Sequence, residues 1–252
     1  MPDTFAITIG FIILSTVVAA FIRGRSRDKC LKDFSEDMVT LEETAGKIAR
    51  GKLTVENTGL ELVYPTKLTD RDGHDETSYI LYKNEYPNIQ ALIRFHDELD
   101  EHSKEEREKE LRRTYHPTTL RRLKRKIRNF FSTVRDSMME VVNLLIGRAK
   151  RTAPGGAALA SQDKYISQMK KELGGSMGTS FDPLLERHIG KKVILEFKKA
   201  EKIVGYSGVL KDYTVKFVEV MDVGYRIKED QKVRKADLVV PREYGVIRHL
   251  GE

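Results

Sequence analysis

A chain of 252 residues has room for one or two folded units, and its net charge of +7 favours acidic partners such as anionic lipid headgroups or nucleic acid. The single cysteine, Cys30, excludes an intrachain disulfide, which fits a reducing compartment. The sequence has no zinc-type Cys/His cluster, nucleophile elbow, phosphate loop or dinucleotide fingerprint, so we expect no enzyme, no cofactor and no metal site.

The first element is an uncharged apolar run at residues 5–22. Its length matches the roughly 17 to 25 residues that a helix needs to cross the hydrocarbon core. Because basic residues follow the run and none precedes it, residues 1–22 are predicted to be a transmembrane anchor rather than a signal peptide or a buried core helix. The positive-inside rule then predicts a single-pass protein of the cell inner membrane, with its N-terminus outside and the bulk of the chain cytoplasmic. The basic residues next to the run, predicted to face lipid, are Arg23, Arg25, Arg27 and Lys29.

Residues 23–51 have apolar side chains at alternating spacings of three and four, which predicts a juxtamembrane helix that ends at Gly51. This seam fits self-association and packing within the chain equally well. The seam consists of Leu31, Phe34, Met38, Leu41, Ala45 and Ile48. Residues 52–93 are predicted to be a small β-rich segment, because turn chemistry at Asn57-Thr58-Gly59 and Asp72-Gly73 separates alternating strands.

From Tyr86 the pattern becomes helical, and residues 94–147 are predicted to form charged and basic amphipathic helices. The first helical face would hold Ile89, Leu92, Ile93, His96 and Leu99. A longer helix would begin at Pro117 and present two faces. Its basic face, predicted to meet phosphate groups of lipids, holds Arg121, Arg122, Lys124, Arg125, Lys126 and Arg128. Its apolar stripe, predicted to mediate association, holds Leu120, Leu123, Ile127, Phe130, Phe131, Val134, Met138, Val142 and Leu145.

Residues 148–181 have the composition of a linker with a short helix. Residues 182–252 contain about five short strands after a short helix, and this density predicts a small, strongly bent barrel. The predicted fold class is therefore α+β, with one transmembrane helix, a middle region of strands and long helices, and a C-terminal small β-barrel of Sm-like or SH3-like form.

The C-terminal segment carries a family resemblance in a short helix, followed by Ile189-Gly-Lys-Lys-Val-Ile-Leu195, then Gly208-Val-Leu-Lys-Asp-Tyr213, and then an alternating strand. This pattern resembles the Sm-like (LSm) small barrel and the β domain of small-conductance mechanosensitive channels. The resemblance covers about 70 residues. It implies assembly into rings by pairing of edge strands, and RNA binding in many members.

The sequence as a whole predicts a membrane-anchored structural or scaffold protein that forms a homo-oligomer, with a ring as one form, on the cytoplasmic face. The predicted partners are membrane lipids and further copies of the chain, with no small-molecule substrate. Nucleic acid is less favoured than lipid, because base-stacking aromatics are not interleaved with the basic residues of the long helix. The alternatives are a membrane-tethered Sm-like RNA-binding protein and a subunit of a pore or mechanosensor.

Overall fold

The computed structural model describes residues 27–69, 72–115, 182–199, 202–228 and 230–251. Ten strands of these residues form a single sheet in which all neighbours are antiparallel. The strands are β1 (Met38–Glu43), β2 (Ile48–Val55), β3 (Gly59–Thr69), β4 (Asp75–Tyr82), β5 (Ile89–Phe95), β6 (Lys192–Lys199), β7 (Lys202–Tyr213), β8 (Phe217–Tyr225), β9 (Arg234–Pro241) and β10 (Gly245–Leu250). The helices are α1 (Lys29–Lys32), α2 (Glu101–Tyr115) and α3 (Pro183–His188), with 3-10 helices at Lys83–Asn88 and His96–Glu98.

The sheet consists of two halves with the same internal strand order. Across the sheet the order is β10-β6-β7-β8-β9-β5-β1-β2-β3-β4. Strands β1 to β5 make the N-terminal half, and β6 to β10 make the C-terminal half. When the strands of each half are counted along the chain, they lie side by side in the order fifth, first, second, third, fourth. The halves meet where β9, a fourth strand, pairs with β5, a fifth strand. We call this β9–β5 contact the junction.

A short capped helix precedes the first strand of each half. The carboxylate of Asp28 accepts hydrogen bonds from the backbone N–H groups two and three residues ahead and starts α1. Asp182 does the same at the start of α3. Aspartate is among the residues preferred at this position because it satisfies N–H groups that have no partner within the helix. The two halves therefore begin in the same way.

Each half has a hydrophobic core, and the two cores exchange side chains across the junction. Val239 and Phe217, from the C-terminal half, pack in the core of the N-terminal half. Ala91, Ile93 and Phe95, from β5, pack in the core of the C-terminal half. Neither core is complete without residues from the other half.

The predicted helix of residues 23–51, in its described part from residue 27, and the predicted helical face at residues 89–99 are largely wrong. Only the start of the first segment is helical, as α1; the rest forms β1 and the first part of β2, and Gly51 lies within β2. The second segment forms β5 and a 3-10 helix. Every residue of β5 is buried, because the strand lies between the two cores. A strand buried on both faces has no alternation of apolar and polar residues, so its apolar run was misread as a helical face.

The predicted architecture of a transmembrane helix, long middle helices and a separate small barrel is also wrong for the described part of the chain. Residues 192–250 do not form a barrel of their own, because their strands continue through the junction into one antiparallel sheet. No helix among the described residues is long and apolar enough to cross a membrane. The segments on which the predicted membrane-spanning and amphipathic helices rested, residues 5–22 and the helix from Pro117, lie outside the described residues.

Candidate functional site

The candidate site consists of the two outer strands of the sheet, β4 and β10. Each pairs on one side only, β4 with β3 and β10 with β6, and no other described strand covers the opposite side. An uncovered strand presents a row of unpaired backbone N–H and C=O groups, which is a template for pairing with another chain. We call these two strands the free edges.

Both free edges carry apolar side chains in solvent. On β4, Ile80 is 52% exposed and Tyr82 is 58% exposed. On β10, Val246 is 39% exposed and Leu250 is 53% exposed. Natural sheets commonly protect such edges with lysine, proline or a covering loop. Neither strand contains lysine or proline, although the ladder of each to its neighbour has one register irregularity.

The junction shows how a fourth and a fifth strand pair when both are covered. Leu92 lies opposite Val239, Ile93 opposite Leu238 and Arg94 opposite Asp237. The four apolar residues of these pairs are all buried.

A cluster of buried, oppositely charged side chains stabilises the junction. Arg94 Nη2 lies 2.8 Å from Asp237 Oδ2, and Arg94 Nη1 lies 2.8 Å from Asp37 Oδ2. Arg107, on α2, donates to both carboxylate oxygens of Asp237 at 2.7 and 2.9 Å, and His96 Nε2 lies 3.0 Å from the same carboxylate. Burial alone would raise the pKa of Asp237, but hydrogen bonds from His96 and Arg107 and the charge of Arg94 hold it well below its usual range. Asp237 is therefore the ionised centre of this cluster.

A second buried cluster surrounds Lys211 on β7. Its Nζ lies 2.9 Å from Glu219 and 3.1 Å from Asp33, and it also pairs with Glu110 on α2. Burial raises the pKa of Glu219 to about 7, although Lys211 partly opposes this shift. Burial would lower the pKa of Lys211, but the surrounding carboxylates raise it above its ordinary value. The cluster attaches both α2 and the segment after α1 to the C-terminal half.

Hydrogen bonds from other side chains reinforce the junction around Glu42 of β1. Tyr225 donates its phenolic hydrogen to Glu42 at 2.6 Å, and Lys199 Nζ lies 2.7 Å from the same carboxylate. Gln90 donates to the backbone carbonyl of Lys198 at 2.7 Å. These contacts cross between the halves and fix their relative position.

The predicted site residues are only partly placed by the structure. Arg27 pairs with Glu56 at 2.8 Å, and Lys29 pairs with Asp212, so both contact carboxylates of this chain. The remaining predicted basic residues, Arg23, Arg25, Arg121, Arg122, Lys124, Arg125, Lys126 and Arg128, lie outside the described residues. The whole apolar association stripe, from Leu120 to Leu145, also lies outside them.

Local sequence patterns do not predict the junction, although the sequence contains a signal for it. Val39-Thr-Leu-Glu42 in β1 has a counterpart in Val193-Ile-Leu-Glu196 of β6. The capping residues Asp28 and Asp182 are separated by the same interval as these two motifs. A search for internal repeats would have indicated two equivalent halves.

No protein-family model, curated protein or solved structure matches this chain. Within the described ranges, no three His, Cys, Asp or Glu side chains come together in a way that would hold a metal ion.

Proposed function

We propose that this protein is a structural protein that associates with further copies of itself through the free edges of its sheet. The observation that carries the proposal is that the long antiparallel sheet of the described residues ends on both sides in strands that no other described strand covers and that carry exposed apolar side chains. Pairing of these strands would satisfy backbone groups and bury the exposed side chains together. Its role is to build a homo-oligomer rather than to catalyse a reaction.

The mass of the full-length particle tests this proposal. The full chain is purified in detergent, because residues 5–22 are apolar, and its protein mass is compared with the 28.9 kDa of one copy. We expect a mass of several copies. A particle of one copy at every accessible concentration would contradict the proposal.

Edge variants show whether the strands themselves hold the copies together. Ile80→Lys and Val246→Lys place a charge on β4 and β10, and each should lower the mass towards one copy. Val63→Lys is the matched control, because Val63 is 43% exposed but its strand, β3, pairs at this position with Lys52 on one side and Ser78 on the other. Equal loss of mass in all three variants would show that the edges have no special role.

The predicted inner-membrane location depends on residues 5–22, outside the described residues, and stays a prediction. RNA binding and a pore also stay predictions.

A further inference from the structure

We infer that the docking of α2 on the sheet responds to pH through the buried side chains around Lys211. One proton held among them keeps α2 docked, and loss of that proton as pH rises loosens α2 while the sheet stays folded. The inference does not rest on the proposed function, because every group involved belongs to one copy. The side chains concerned, which we call the Lys211 cluster, are Lys211, Glu219, Asp33 and Glu110.

A β-bulge places Lys211 in this cluster. In the ladder between β7 and β8, Leu210 pairs with Val220, and the next pair is Asp212 with Glu219. Lys211 is therefore an extra residue in β7, and three successive residues, 210 to 212, are buried where a regular strand would alternate between its two faces. The corresponding ladder of the N-terminal half, between β2 and β3, runs from residue 52 to residue 55 without a register shift. The two halves thus differ at the position that supplies the buried lysine.

The Lys211 cluster holds more negative than positive charge. Three carboxylates surround the single ammonium group of Lys211. Arg94 also attracts Glu219, but its two Nη atoms already lie 2.8 Å from the carboxylates of Asp37 and Asp237. A proton on one carboxylate relieves this excess, because buried like charges raise one another's energy. The charged and titratable side chains around Glu219 are Lys211 of β7, Cys30 of α1, Asp33 after α1, Arg94 of β5 and Glu110 of α2.

Glu219 is the carboxylate that holds the proton. Its side chain is fully buried, whereas the side chains of Asp33 and Glu110 are 20% and 37% exposed. Burial penalises a charge most where water is excluded, and it raises the pKa of Glu219 from 4.5 to about 7. Cys30 does not compete for this role, because burial and nearby carboxylates raise the pKa of its thiol well above the ordinary value. The proton on Glu219 is therefore lost near neutral pH.

Ionic contacts attach α2 to the sheet. Thr114 is the one buried residue of this helix. Arg107 donates to Asp237 at 2.7 Å, and Glu110, one turn further along, pairs with Lys211. A helix that buries so little apolar surface gains little docking energy from packing, so its position depends on the charges beneath it.

Ionisation of Glu219 weakens the contact that Glu110 makes. When Glu219 is protonated, the charge of Lys211 is available to Glu110 and Asp33. When Glu219 is ionised, its carboxylate lies 2.9 Å from Lys211 Nζ, competes for that charge and repels Glu110. Glu110 is the most exposed of the three carboxylates, so it can turn towards water. Because Arg107 lies on the same helix, loosening α2 also weakens its contact with the junction.

Labelling of a buried thiol on α2 tests the inference in the full-length chain at one protein concentration. Thr114→Cys places a thiol at a position that is 2% exposed, where a thiol reagent reacts only when α2 loosens. Its rate is divided by the rate for Glu106→Cys, a position of α2 whose side chain is 68% exposed, which removes the effect of pH on the reagent. We expect this ratio to rise about tenfold from about pH 5.5 to about pH 8.5, as a difference of one pKa unit between docked and loosened α2 would produce.

Cys30 distinguishes loosening of α2 from unfolding of the whole molecule. It is fully buried in the core of the N-terminal half, so it should be labelled far more slowly than Thr114→Cys at both pH values. Equal rates for the two thiols would overturn the inference, since global unfolding would then be the event that exposes α2. A ratio that stays constant with pH would also overturn it.

Substitutions in the Thr114→Cys background identify the titrating group. Glu219→Gln stays neutral, so the ratio should keep its low value at both pH values. Glu110→Gln removes the ion pair with Lys211, so the ratio should be high at both, and this variant preserves the test if Glu219→Gln folds poorly. Glu108→Gln, at an exposed position of α2, is the matched control and should keep the full rise. A rise that persists in Glu219→Gln or in Glu110→Gln would contradict the inference.

Discussion

The junction and the free edges are made from equivalent strands, but they are stabilised in different ways. The junction buries apolar pairs on both sides and adds ionic clusters centred on Asp237 and Lys211. The free edges offer apolar side chains and a few exposed charges, and among the described residues they have no counterpart of the buried Arg94–Asp237 pair. Because the junction lies within one chain, it can be permanent, whereas we expect edge pairing between copies to be reversible.

Removing the centre of the ionic cluster should have the largest effect on stability. Asp237→Ala leaves Arg94 buried without its main partner and removes the acceptor of Arg107. Breaking one side of a buried ion pair typically costs about 3 to 5 kcal/mol. We expect a loss of this size in the free energy of unfolding measured by denaturant titration. Glu56→Ala, which removes the exposed Arg27–Glu56 pair, is the control and should cost less than about 1 kcal/mol. Similar losses for the two variants would contradict the central role of Asp237.

Equivalent apolar truncations should separate the junction from a free edge. Leu92→Ala removes a fully buried side chain from the junction and should cost about 2 to 5 kcal/mol in the free energy of unfolding. Ile80→Ala, on β4, should cost less than about 1 kcal/mol in a dilute single copy, because the side chain is half-exposed there. The same Ile80→Ala variant should weaken association in sedimentation experiments. If Leu92→Ala and Ile80→Ala weakened association equally, the proposed difference between the junction and the free edge would be refuted.

The pH dependence of stability should report on Glu219 beside Lys211, Asp33 and Arg94. The pKa of Glu219 is raised from 4.5 in an unfolded chain to about 7, so the folded state retains a proton that the unfolded state has released. Stability should therefore fall as pH rises from about 4.5 to about 7. Glu219→Gln cannot titrate, so it should lose less stability over this interval in thermal unfolding. Parallel pH profiles for the two proteins would argue against a raised pKa.

Salt should produce the smallest effect. The opposite charges on β4 and β10 are exposed, and screening at high ionic strength weakens such attractions. We expect association to weaken by a few-fold between about 0.05 and 0.5 M salt, a range over which the Debye length falls several-fold. Denaturant stability of the single copy should change little in comparison. Association that strengthens with salt would indicate that apolar burial dominates the edge contact.

Sequence patterns predicted the strands best where one face of the sheet is exposed. The turn predicted at residues 57–59 does connect β2 to β3, and the strands predicted after residue 190 are present as β6 to β10. Strand β5 was missed because both of its faces are buried, which removes the period-two signal. Strand β1 was missed because Met38 and Leu41 match a helical spacing by coincidence, while Val39 and Leu41 alternate as a strand.

The candidate site was harder to predict, since an edge strand is defined by what does not pair with it. The exposed positions of Ile80 and Val246 depend on the full strand order, which no local pattern contains. The ionic cluster joins residues as distant in sequence as Asp37 and Asp237. The repeated Val-x-Leu-Glu motif of β1 and β6, together with the equally spaced Asp28 and Asp182, is the sequence signal of the two equivalent halves.

Hydrogen exchange of the full-length chain across a dilution series tests the pairing of the free edges most directly. At high concentration, backbone amides of both β4 and β10 should be protected, and both should lose protection together on dilution, because association covers both free edges. Amides of β5 and β9 should stay protected throughout, since the junction lies within one chain. Rapid exchange of β4 and β10 at all concentrations, or protection of only one of them, would contradict the account.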